Sequence, residues 1–143
     1  MLHLIKLAVG VRDIAHLQEI QDRRAKTDPP LRHQTRNQPR RADEITAGGS
    51  LYWVIQGAVT VRQLVRDIVA DTWDDGSACA GIVLDPVLVP VLIRPVKAFQ
   101  GWRYLPPADA PIDLAAARGS DAARGVAALP PPLMKELRAL CLL

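Results

Sequence analysis

Cysteine is scarce in this chain: Cys79 and Cys141 stand far apart and no C-x-x-C pair occurs. That excludes a disulfide framework and a thiolate metal knuckle, and predicts two reduced thiols in a cytoplasmic protein. Histidine is as sparse. His3, His16 and His33 form no H-x-H or H-E-x-x-H pattern, so neither a zinc centre nor any other cofactor is expected. No apolar run approaches the ~18 residues of a membrane span, and no membrane partner is expected. The opening MLHLIKLAVG is interrupted by Lys6, is too short for a secretory core and has no small-residue cleavage site after it, so it reads as a retained first strand. Signatures of catalysis are missing too. Ser50 lies in no G-x-S-x-G elbow, and the GGS before Leu51 lacks the Lys-Ser or Lys-Thr ending of a phosphate loop.

What remains is a chain of 143 residues, 49% hydrophobic and 23% charged, which is the composition of one globular domain over residues 1–143. Its net charge is only +3, but the charge is unevenly placed. Between Arg23 and Arg41 stand Arg23, Arg24, Lys26, Arg32, Arg36, Arg40 and Arg41 against Asp28 alone, a local excess of +6 (seven cations less one anion). Most of the chain's cations are arginines, whose planar fork suits phosphate and stacks on flat rings. The expected partner is therefore RNA or another polyanion.

Hydrophobic periodicity divides the chain into elements. Leu2 to Val9 reads as a buried strand ending at Gly10. Asp13 is placed to cap a helix running to about Lys26, with Ile14, Leu17 and Ile20 on one stripe, and Asp28-Pro29-Pro30 stops it. The polar row from Leu31 to Arg41 alternates as an exposed edge strand, with Arg32, Gln34 and Arg36 on one side and His33 and Thr35 on the other. Ala42 to Ala47 makes about one helical turn closed by Gly48. GGSLYWVIQG is the clearest strand, and it sends the adjacent Tyr52 and Trp53 to opposite faces.

The following AVTVRQLVRDIVADTW has helical spacing at Val61, Leu64, Val65 and Ile68 but is rich in β-branched residues and runs into the turn DDGS. It is read as the first arm of a long hairpin with a bulge near Gln63-Leu64. The proline-spaced run from Asp85 to Pro95 cannot be central sheet, and FQGWRYL is a last strand. Residues 106–128 read as a surface wrap or partly disordered segment, before a short closing helix with Leu133, Leu137 and Leu140 on its apolar stripe.

The combination of RADEI, GGSLYWVIQG, Arg62-Gln63, GIVLDP and FQGWRYL resembles a family of uncharacterised bacterial proteins, mostly alpha-proteobacterial, over residues 2–114 and the closing helix. That resemblance implies no assigned activity. In the family pattern a lysine usually stands where this chain has Gln56. The order of a strand reading LYWVIQG, a hairpin arm carrying Arg62 and an aromatic-basic last strand also resembles the PUA-like barrels, which include PUA, ASCH and EVE modules and bind RNA or modified bases. The expected fold is accordingly α+β: a small, mostly antiparallel, PUA-like β-barrel with an N-terminal and a C-terminal helix packed on it.

Three functions fit these readings. The first is an RNA-binding or modified-base-binding module in which Arg36, Arg40 and Arg41 contact phosphate and Trp102 or Trp53 stacks on a base, with Arg32, His33, Arg62 and Arg103 as further candidate binding residues. The second is a small hydrolase or transferase of the same barrel class, using a polar cluster such as His33, Lys97 and Asp85 that only the fold could assemble. The third is a structural protein that uses its aromatic patch on a protein partner. In FQGWRYL, strand parity puts Trp102 and Tyr104 on one face, with Trp102 mainly core, and turns Arg103 outward.

Overall fold

The first strand, β1 (His3–Leu7), is filled on both edges from distant parts of the chain: β3 (Ser50–Ile55) pairs with it in parallel and β7 (Trp102–Leu105) antiparallel. The computed structural model describes residues 1–116. A parallel partner demands a crossover, and this one consists of α1 (Ile14–Thr27), β2 (Arg32–Thr35) and the single turn α2 (Ala42–Thr46).

Each piece has a local cause. Asp13 caps α1 by accepting the backbone N–H of His16 at 2.7 Å, and the helix buries Leu17 and Gln21. Gly48, at φ +102, ends α2 in the left-handed region. Gly49 is needed for a different reason: a Cβ there would lie 2.0 Å from the Leu2 carbonyl oxygen and 2.6 Å from that of Ile45. Gln56 and Gly57 both have positive φ, the two-residue turn that matches strand twist, and it reverses the chain into β4 (Ala58–Thr72).

β4 is the backbone of the sheet. Its first half pairs with β3, its second half with β5 (Ala78–Leu84), and β6 (Val89–Pro95) pairs with its start. The segment is indeed one strand, but its bulges fall at Thr60, where Trp53 faces Val61 and Val54 faces Val59, and at Arg66, where Val65 faces Leu84 and Asp67 faces Val83, rather than near Gln63-Leu64. Two successive charged side chains cannot alternate with one inside. The extra residue leaves Arg66 and Asp67 both exposed and restores inward parity from Val61, Gln63 and Val65 to Ile68. β6 carries Pro90 and Pro95 and lies off the central path of the sheet, touching the following segment through one bridge, Val91 to Asp113.

The strands form one seven-stranded mixed sheet in the order β2-β5-β4-β3-β1-β7. This overturns the expected PUA-like barrel: the sheet is not closed, because β2 and β7 share no ladder. Between those margins runs the segment after β2. It gives single hydrogen bonds where a barrel would have a strand pair, from Trp102 Nε1 to the Asn37 carbonyl at 3.3 Å and from the Arg41 N–H to the Tyr104 hydroxyl at 3.1 Å.

The sheet has two buried faces. Leu4, Leu51, Trp53, Val61 and Val65 meet Leu17 of α1 and Ile45 of α2 on one, while Ile5, Tyr52, Val54, Val59, Val91 and Leu105 pack on the other. Tyr52 and Trp53 are on opposite faces, and both are core. The closing helix and most of the wrap lie outside the described residues. No described helix is long and apolar enough to cross a membrane.

Candidate functional site

Polar side chains gather at three places. The first lies under the helices. Gln63 of β4 accepts from the Trp53 indole at 2.8 Å and exchanges amide bonds with Gln21 of α1, so the buried amides are satisfied. His33 reaches the same cluster from β2, its ring edge-on to Trp53 at 5.3 Å. Two strands lie between β2 and β3, so that contact requires the sheet to curl strongly. Burial, then the charges of Lys6 and Arg24, push the His33 pKa down to about 4 and keep the ring neutral. Its Nε2 is buried and has no hydrogen-bond partner among the described residues.

The second place is an open cleft of about 690 Å³ lined by Arg36, Trp73, Asp74, Asp75, Ser77 and Ala78. The hairpin turn between β4 and β5 holds it in shape. Asp75 Oδ1 accepts from the Ser77 N–H at 2.9 Å and hydroxyl at 2.6 Å, Gly76 takes φ +86, and the Trp73 N–H donates to the Ser77 carbonyl at 2.9 Å. Trp73 is 38% exposed whereas Trp53 is 5% exposed, so Trp73 has surface open to a ligand at the cleft and Trp53 does not.

The third place is on the opposite face of the sheet. Arg62 grips both oxygens of Asp113 through one guanidinium edge, Nε at 2.7 Å and Nη2 at 2.8 Å, and donates through Nη1 to the Ser50 hydroxyl at 3.0 Å. His3 Nδ1 accepts the backbone N–H of Ser50 at 2.9 Å, not its hydroxyl. Burial and the nearby Arg62 lower the His3 pKa. Among the described residues no base reaches Ser50 Oγ, and the arrangement ties Asp113 to the sheet.

The basic row divides by pairing. Arg32 is committed to Asp71 and also meets Asp28 at 3.5 Å; Arg41 pairs with Glu44 at 2.8 Å and stands over the Tyr104 ring at 5.5 Å. Arg36 and Arg40 are exposed and have no carboxylate partner among the described residues. Arg103 is exposed as its strand parity requires and lies over Phe99 at 5.0 Å. Trp102 is half-buried against the core and edge-on to Tyr104 at 5.0 Å.

Asp85 is taken by Arg66 at 2.8 Å, and no contact joins it to His33 or Lys97 among the described residues. Those residues also hold no group of three or more metal-ligating side chains. Cys79 is a buried free thiol and Cys141 lies outside the described residues.

Two residues escaped the sequence reading. Trp73 adjoins DDGS, which was legible only as a turn. Lys6 interrupts an apolar strand, and its neighbours across the sheet could not be known without the register.

No curated protein and no solved structure matches the chain. A family model described as "Protein of unknown function (DUF1489)" matches residues 4–143, and with nearly its whole length matched the chain belongs to that family.

Proposed function

We propose that this protein is a nucleic-acid-binding module that takes single-stranded RNA or a modified base in the cleft between Arg36 and Trp73. The observation that carries the reading is that Arg36, which has no carboxylate partner among the described residues, and the partly exposed Trp73 line one open cleft. Those are the two elements that binding of a single strand requires: charge for the backbone and a flat ring for the base. Arg40 continues the charge beyond Arg36, and Arg23, Arg24 and Lys26 at the end of α1 are exposed as well. Asp74 and Asp75 belong at the base edge, where a carboxylate accepts from an exocyclic amino group, and away from phosphate. Trp73 therefore replaces Trp53 as the stacking residue.

The test is fluorescence anisotropy of a labelled single-stranded RNA with wild-type protein and with Trp73→Ala. Loss of one stacked base costs about 1–3 kcal/mol, so affinity should fall roughly 5- to 150-fold in the variant while its melting temperature changes little. A wild type that does not bind at low salt, or a Trp73→Ala protein that binds equally well, contradicts the proposal.

A further inference from the structure

Lys6 occupies an unusual place for a lysine. In register it stands opposite Trp53 of β3 on one side and Trp102 of β7 on the other, so its stem runs between two indoles on the helix-covered face. It is half-buried, and burial lowers its pKa. No hydrogen bond or ion pair reaches its ammonium among the described residues.

His33 shares the same surroundings through its contact with Trp53, and its buried Nε2 is also unpartnered. The charges that act on His33 are Lys6 and Arg24, both cations. His33 thus holds a buried nitrogen with unmet hydrogen-bonding capacity beside the cation Lys6, and no carboxylate pairs with either residue among the described residues. A half-buried cation without a counter-ion is costly, and such costs are kept where a ligand repays them.

We propose that Lys6 and His33 form the floor of a site for a small oxyanion, the phosphate or carboxylate head of a ligand. Lys6 Nζ supplies the counter-charge as a point donor, and neutral His33 donates through an Nε2-bound proton. Trp53 is sealed by Gln63 and the core, whereas Trp102 lies on the margin strand β7 and is half-open. The way in is over Trp102, whose ring can cover a flat group attached to the anion. This site does not depend on the Arg36–Trp73 cleft binding RNA.

The experiment is a thermal melt of the full chain at neutral pH in chloride, inorganic phosphate or acetate at equal ionic strength. Phosphate or acetate should raise the wild-type melting temperature by about 2–4 °C over chloride, since a ligand that binds only the folded state stabilises it. A response to phosphate alone assigns the head group as phosphate, a response to acetate alone assigns it as carboxylate, and an equal response to both supports a site that takes either oxyanion. Lys6→Met keeps the stem and removes the charge, so it should lose the response while melting in chloride at or above the wild type. Exposed Lys97→Met should keep the response. A wild type indifferent to both oxyanions, or a Lys6→Met protein that responds as the wild type does, overturns the proposal. If Lys6→Met fails to fold, His33→Leu decides in the same way: a reduced response supports the site and an unchanged one refutes it.

Discussion

Gln21 on α1 and Gln63 on β4 exchange both amide hydrogen bonds, each 2.7 Å long, and this reciprocal pair locks the helix to the sheet. Gln63 has no capacity left over, since its oxygen also accepts from Trp53 at 2.8 Å and its nitrogen donates to the Asp85 carbonyl at 3.0 Å. Gln63→Leu would leave the Gln21 amide of α1, the Trp53 indole of β3 and the Asp85 carbonyl in the loop after β5 each short of a partner. It should cost about 3 kcal/mol in urea denaturation. Gln21→Leu combined with Gln63→Leu should cost less than the two single changes added together, because the second removes a group that the first had already orphaned.

Acid should weaken the fold before the carboxylates titrate. His33 has its pKa lowered to about 4 by burial and by the cations Lys6 and Arg24, whereas an unfolded histidine titrates near 6.5. Between these values the unfolded chain binds the extra proton, so stability falls as pH drops from about 6.5 to about 4, by up to about 3 kcal/mol. His3, lowered by burial, acts in the same direction. Urea midpoints at pH 7 and pH 4.5 measure the loss, and His33→Leu should remove most of it while leaving the part due to His3.

Trp102→Ala separates packing from binding. The side chain is half-buried, packs on the main core and donates to Asn37 at 3.3 Å, so its removal should cost about 2 kcal/mol, less than the roughly 3–5 of a fully buried tryptophan. RNA affinity should be nearly unchanged, because the stacking ring is assigned to Trp73. A stable Trp102→Ala protein that no longer binds RNA would reverse that assignment.

Local signals were legible in the sequence and long-range ones were not. The cap at Asp13, the left-handed Gly48, the strand through Tyr52 and Trp53 and the edge placement of the arginine row all follow from neighbours in the chain. Closure does not. Alternation tells which face a side chain takes but not which strand lies beside it, so the parallel pairing of β1 with β3 and the open margins at β2 and β7 were hidden, and a barrel was expected. The bulge at Arg66 answers to two adjacent charges, Arg66 and Asp67, rather than to the break in the apolar pattern at Leu64. Site residues divide in the same manner. Arg36 and Arg40 stand out by composition. Trp73 and Lys6 acquire meaning only from what the fold brings against them.

If Arg36 beside the exposed Trp73, together with Arg40, holds the backbone of a single strand, RNA affinity must fall as salt rises. Anisotropy titrations across a range of salt should give a linear fall of log affinity with log salt for the wild type, at about 0.7 per phosphate contacted. Arg36→Ala with Arg40→Ala should lower affinity and flatten that slope by about 1.4, two contacts at about 0.7 each, with no loss of folded structure. An affinity that does not respond to salt, or a slope that the double change leaves intact, would contradict the account.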